Sequence, residues 1–104
     1  MTVDTEFLVG HDLAVYSATW CPDCTRLKRY LASTDIATHE VNIDDVDGAA
    51  QKLEEETGKR AIPFVLVDGK QWVRGYHKEL SQRFDPKLFL AELKQAIVDT
   101  GAKR

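Results

Sequence analysis

"YSATWCPDCTRLKRYL", Tyr16 to Leu31, holds both cysteines of the chain, Cys21 and Cys24, with only Pro22 and Asp23 between them. It is also the place where a strand-like run gives way to a helix-like one. Upstream, "DLAVYS" (Asp12 to Ser17) is short, apolar and β-prone, which fits a strand. Downstream, Pro22 suits the first turn of a helix, where its missing N–H has no partner in any case. Cys24, Leu27 and Leu31 recur at helical spacing and mark an inner stripe, with Arg26, Lys28 and Arg29 on the outer face. The helix is expected to end at Ala32 to Thr34.

The remaining elements follow from local signals. "THEVNI" (Thr38 to Ile43) fits a second strand, ended by "DDVDG". Asp47 is expected to cap a helix starting near Gly48, with Gly58 as its left-handed last residue and a thin stripe of Ala50, Leu53 and Thr57. "IPFVLVDGKQWV" offers two strands about an Asp68-Gly69 turn, the strongest hairpin signal in the chain. In "DPKLFLAELKQAIV", Asp85 caps, Pro86 takes the first helical position, and Phe89, Leu93, Ala96 and Ile97 share a face. The order is βαβαββα. A strand, helix, strand unit implies a right-handed parallel crossover, and the later hairpin adds antiparallel strands to the same sheet. Ligands of such sheets gather beyond the carboxyl ends of the strands, where the loop carrying Cys21 leaves the first one.

At 104 residues and 43% hydrophobic, the chain is expected to form a single domain over residues 1–104. Its 14 basic and 17 acidic residues give a net charge of -3, without the basic excess that nucleic acid demands. No apolar run approaches the roughly 20 residues of a membrane span, and "MTVDTEFLVGHDL" has no basic n-region or long apolar h-region. A cytoplasmic location is the expectation, with no membrane or nucleic-acid partner and a monomeric chain.

In a reducing compartment two cysteines serve reactivity or metal rather than structure. A loop closed over two residues would restrict the unfolded chain very little. A thiol attacks as its thiolate, and an ordinary cysteine, with a pKa of about 8.5, is mostly protonated near neutrality. The unpaired N–H groups and dipole of a helix's first turn favour the anion. Cys21 sits there and is expected to be the accessible nucleophile; Cys24, one turn along and aimed inward, is the resolving thiol. The reaction that follows is two-step exchange. Asp23 is expected to oppose the dipole by placing negative charge beside the thiolate. The competing reading is a zinc half-site. It needs two further ligands, and only His11, His39 and His77 remain, scattered and without an H-x₃₋₅-H pair. Each histidine is expected to be an ordinary surface or edge residue.

"VYSATWCPDCTRLKRYL", followed about forty residues later by "AIPFVLVDG", resembles the glutaredoxins of the thioredoxin-fold superfamily, over roughly residues 12 to 98. The resemblance implies a thioredoxin-like α/β fold, a four-stranded mixed sheet flanked by helices, and a thiol–disulfide oxidoreductase with catalytic Cys21 and Cys24. It implies a cis Ile62-Pro63 bond facing Cys21, a geometry that backbone energetics alone give to only about 5% of X-Pro bonds. It also implies substrate contacts from Trp20, Pro22, Asp23, Arg60, Ile62, Pro63, Gly75 and Tyr76. Lys59 is placed beside Arg60 at positions that contact a bound thiol's carboxylate. No tightly bound cofactor is implied. The clients are protein disulfides and mixed disulfides, and the electron source is a low-molecular-weight thiol (glutathione, bacillithiol or mycothiol) or a reductase.

The chain departs from that family's pattern in three places. Asp23 stands where an aromatic residue is usual, Ala18 where a lysine is usual, and "RGYHKE" (Arg74 to Glu79) where two glycines precede an acidic pair. An acidic pair would hold the glutathione amine; His77 and Lys78 do not. Trp20 before the motif is similar to the mycoredoxin branch, whose thiol carboxylates a basic rim of Arg60, Arg74 and Lys78 would meet. "WCPDC" also resembles a small thioredoxin-related protein that draws electrons from thioredoxin reductase. Two alternatives to the general exchange role stay open: an iron–sulfur or metal carrier with Cys21 as ligand, and an electron donor dedicated to ribonucleotide reductase.

Overall fold

The chain was analysed as a computed structural model, which describes Leu8 and residues 10–102. The elements run β1 (Leu13–Ser17), α1 (Pro22–Ala32), β2 (His39–Asn42), α2 (Ala49–Thr57), β3 (Phe64–Val67), β4 (Gln71–Arg74) and α3 (Pro86–Ala102). The order is the expected βαβαββα, and the sheet order is β2-β1-β3-β4. β1 and β2 are parallel through α1, whereas β3 runs antiparallel to both β1 and β4. The sheet is therefore mixed, and the fold is thioredoxin-like.

Strand alternation divides the core into two layers. Leu13 and Val15 of β1, with Val65, Val67 and Val73, face a layer built with Leu27 and Leu31 of α1 and Phe89, Leu90, Leu93 and Ala96 of α3. Ala14 and Tyr16, with Phe64 and Leu66, face Ala49 and Leu53 of α2 on the opposite side. The two central strands are buried along their whole length because both faces are covered. Trp72 is a packing residue, edge-on to Tyr16 at 4.8 Å between ring centroids, with its indole N–H donating to Glu56.

The hairpin turn has Asp68 and Gly69 both at positive φ, 53° and 68°, the conformation that Asp-Gly supplies most readily. Asp68 also ties the turn to the start of β1, accepting from the Asp12 N–H at 2.8 Å and contacting His11 at 2.6 Å. Asp85 caps α3 by accepting from the Lys87 N–H at 3.0 Å, with Pro86 at the first helical position.

Two local expectations fail. Asp47 does not cap α2: Gly48, at φ 80°, itself occupies the N-cap, which puts Asp47 one residue too early for its carboxylate to reach the orphan N–H groups. With the helix beginning one residue later, its inner stripe is Ala49 and Leu53 rather than Ala50 and Leu53. His77 is not a surface residue. Its side chain is fully buried, stacked on Phe84 at 5.7 Å, with Nδ1 accepting from the Asp85 N–H. Among the described residues, no helix is long and apolar enough to cross a membrane.

Candidate active site

The site lies where β1 ends and α1 begins. Cys21 is the N-cap of α1, with extended φ and ψ of -100° and 112°, and its Sγ accepts from the Cys24 N–H at 3.1 Å. Serine and aspartate usually do this work with oxygen; here sulfur answers an orphan amide of the first turn. An anion at Sγ gains from that contact and from the dipole behind it. The Sγ also lies 3.8 Å from the Ile62 carbonyl, to which a protonated thiol donates. Both cysteines are free thiols.

The two thiols differ sharply in surroundings. Cys24 is completely buried against the inner stripe of α1, and that burial, followed by the hydrogen bond to Cys21, pushes its thiol up to about 12. Cys24 therefore stays protonated while a charge sits on Cys21. Cys21 itself is only 5% exposed, less open than the expected accessible nucleophile. Its accessibility is directional: it lies in a groove of about 370 Å³, whereas Cys24 does not line that groove. Burial of the rest of the residue reflects the short loop Ala18 to Cys21, whose turn is closed by the Cys21 N–H donating to the Ala18 carbonyl at 3.4 Å.

Ile62 forms the wall opposite Cys21, and its bond to Pro63 is cis. Pro63 is buried beneath this wall and does not line the groove. Gly75 lies deeper still. Its N–H donates to the Pro63 carbonyl at 2.8 Å. A Cβ there would meet Leu27 Cδ2 at 2.6 Å and Pro63 Cγ at 3.0 Å. Gly75 thus supports Pro63 by close approach and does not itself line the groove.

Trp20, Pro22 and Asp23 line the groove beside Cys21, and the buried Tyr76 lines it as well. Trp20 is 65% exposed, with its indole N–H donating to Asp44 at 2.8 Å. Arg60 lines the groove and pairs with Glu54 at 2.9 Å. Arg74 does not belong to this rim. Glu79 and Glu92 hold its guanidinium at 2.7 and 3.0 Å, and it lines an adjoining groove that shares Lys59 and Tyr76 with this one. The basic rim is instead Lys59, Arg60, Lys78 and Arg83.

Arg83 is the residue that sequence reasoning missed. It pairs with both carboxylate oxygens of Asp23, at 3.0 and 2.7 Å, while Arg26 approaches from within α1. The Arg83 hydrogen bonds in particular hold the Asp23 carboxyl below its ordinary range. Asp23 is accordingly not the unopposed negative charge that its place in the motif suggests. The only hint in the sequence was that an acidic residue between two thiols needs a counter-charge, and nothing local says which of the 14 basic residues supplies it.

Comparison with known proteins points in one direction. The glutaredoxin family model matches residues 13–72. Glutaredoxin-C6 of Oryza sativa subsp. japonica is 31% identical over 101 residues, covering 94% of this chain and 89% of the relative. The chloroplastic glutaredoxin-C4 of the same plant is 35% identical over 68 residues, 62% of this chain and 51% of the relative, so the chain spans about half of that protein's length. Among solved structures, a point variant of the thioredoxin-like protein BC3987 superposes with a TM-score of 0.60 at 22% identity, over 80% of this chain and 95% of that one, a likeness of fold. A buckwheat glutaredoxin–glutathione complex superposes with a TM-score of 0.51 at 28% identity, over 58% and 57% of the two chains.

Proposed function

Because this chain belongs to the glutaredoxin family of thiol–disulfide oxidoreductases, we propose that it acts as one domain to reduce protein disulfides, or mixed disulfides with a low-molecular-weight thiol, through Cys21 and Cys24. The observation that carries this reading is the pairing of a groove-facing Cys21 Sγ, held 3.1 Å from the Cys24 N–H, with a Cys24 thiol buried directly behind it.

The Cys21 thiolate attacks one sulfur of the client disulfide; that S–S bond breaks, a Cys21–client bond forms, and the other client sulfur leaves as a thiolate. Charge has then left Cys21, and with it the like-charge repulsion that, beside burial and the hydrogen bond, keeps Cys24 protonated. Cys24 gives its proton to the departing sulfur and attacks Cys21 Sγ, which releases the second client thiol and leaves a Cys21–Cys24 disulfide. Two electrons pass to the client. A second disulfide exchange, with a low-molecular-weight thiol or a reductase as donor, returns them to the protein. A thiol donor is supported by the glutathione-bound buckwheat relative.

Cys21→Ser is expected to abolish exchange on every disulfide. Cys24→Ser should retain reaction with small-thiol adducts and lose reduction of protein disulfides. Equal loss in both variants would overturn the assignment of roles.

A further inference from the structure

His77 is fully buried, yet its polar ring is only half satisfied. Its Nδ1 accepts from the Asp85 N–H at 3.1 Å, which places the ring hydrogen of the neutral imidazole on Nε2. That Nε2 has no hydrogen-bond partner among the described residues, and the carboxylate facing it, Glu92, lies 4.0 Å away and is engaged by Arg74. An apolar side chain of similar size would fill the same space beside Phe84 without leaving a buried donor unpaired. The polar use of the ring is therefore the bond at Nδ1.

That bond closes a loop. The backbone of the same residue closes it again: the His77 N–H donates to the Arg83 carbonyl at 2.7 Å, and the His77 carbonyl accepts from the Leu80 N–H at 3.0 Å. Residues 78–84 are thereby folded back so that both ends of the loop meet at His77. Arg83 sits within this clasp at φ 61°, left-handed backbone that a residue with a side chain keeps only where its surroundings impose it. The side chain presented in this way is the one whose guanidinium lies on Asp23 and lines the groove with Cys21.

We propose that His77 is a positioning residue for the exchange reaction: by clasping both ends of the 78–84 loop it delivers the Arg83 guanidinium to Asp23, next to the attacking thiol. The proposal rests on the exchange reading above and extends it to a residue that lines no part of the groove. Without the clasp, Arg83 relaxes out of the left-handed region and its charge leaves the groove. Asp23 then keeps only Arg26, and the Cys21 thiolate loses a nearby cation.

The test is a pH profile of iodoacetamide alkylation in the full chain carrying Cys24→Ser, which leaves Cys21 as its one thiol. His77→Leu approximates the ring's volume and deletes the acceptor. Its alkylation at pH 7 should slow by about two- to fivefold, the range of one exposed ion pair, with the profile moved toward higher pH. His77→Asn, whose side-chain oxygen can accept from the Asp85 N–H, should return the rate to within about 1.5-fold of the native residue's. In His77→Leu/Arg83→Gln the slowing should be no greater than in Arg83→Gln alone, because both changes remove the same charge from the same place.

An unchanged profile in His77→Leu, slowing that Asn does not relieve, or fully additive slowing in the double variant overturns the proposal. Should circular dichroism show His77→Leu unfolded, Asp85→Pro deletes the same N–H from the other side of the bond, with Asp85→Ala as the control for the lost helix cap. Slowing in Asp85→Pro beyond that in Asp85→Ala supports the clasp, and equal rates overturn it. Exchange is read separately, with bis(2-hydroxyethyl) disulfide. A Cys21 that alkylates as expected and does not react with that disulfide keeps the clasp and loses the exchange reading.

Discussion

Arg83 holds Asp23 with two nitrogens on two oxygens, at 3.0 and 2.7 Å, across a sequence separation of 60 residues. The guanidinium does so from a backbone φ of 61°, a conformation that glycine adopts more easily than arginine. The pair leaves little net charge beside the thiol and pins the loop after β4 against the dithiol motif. Removing either partner alone should expose the other's charge to Cys21. Arg83→Gln is expected to slow iodoacetamide alkylation of Cys21 at pH 7 by about two- to fivefold, and Asp23→Asn to speed it by a similar factor, the range of an exposed pair. A full pH profile should shift toward higher pH in the first variant and lower pH in the second. Identical profiles would show that the pair acts on the loop alone.

The same pair predicts a pH-dependent stability. Asp23 titrates below its ordinary 3.8 in the folded chain, chiefly because of Arg83, so the folded state holds fewer protons than the unfolded one in acid. Its contribution is complete above about pH 4 and is lost as pH falls through the lowered value. Urea midpoints of the native chain and of Asp23→Asn should therefore converge on acidification from pH 6 to pH 3.

Gly75→Ala places a methyl 2.6 Å from Leu27 Cδ2 and 3.2 Å from the Pro63 carbonyl oxygen. Leu27 is fully buried and Pro63 is packed beneath the Ile62 wall, so neither moves freely. The expected cost is about 1–3 kcal/mol in denaturant unfolding, accompanied by slower exchange because the Ile62–Pro63 wall shifts. Unchanged stability would mean that β4 yields instead.

His77→Ala removes a fully buried ring that stacks on Phe84 and accepts from the Asp85 N–H at 3.1 Å. A cavity and an orphaned amide at the start of α3 follow, at a cost of about 2–4 kcal/mol. Hydrogen exchange should show the loss of protection concentrated in residues 77–90, with α2 little changed, since α2 packs on the other face of the sheet.

Asp44→Ala releases the Trp20 indole. Stability should change by less than about 1 kcal/mol, since the bond is exposed. Reduction of peptide disulfides should slow by about two- to threefold, because the lip beside Cys21 is then no longer held in one orientation. An unchanged rate would assign the bond a purely local role.

The sequence by itself determined the elements and the reactive pair, because those depend on neighbours a few residues apart. Pro22 and Pro86 announced helix starts, Asp68-Gly69 announced the hairpin, the three-and-four spacing of Cys24, Leu27 and Leu31 announced the buried face of α1, and the position of Cys21 before that helix announced its amide contact. Where a local signal was misjudged, at Asp47, the competing glycine stood next to it. Only the tertiary structure decided the surroundings of the pair: which arginine cancels Asp23, that Arg74 pairs with Glu79 and Glu92, that His77 is interior, and that Gly75 packs closely against Pro63. Those relations join segments up to 60 residues apart, and charge, unlike periodicity, carries no marker of its partner. Burial and ion pairing are settled by where the sheet brings the loops together, and that information resides in no single stretch of the chain.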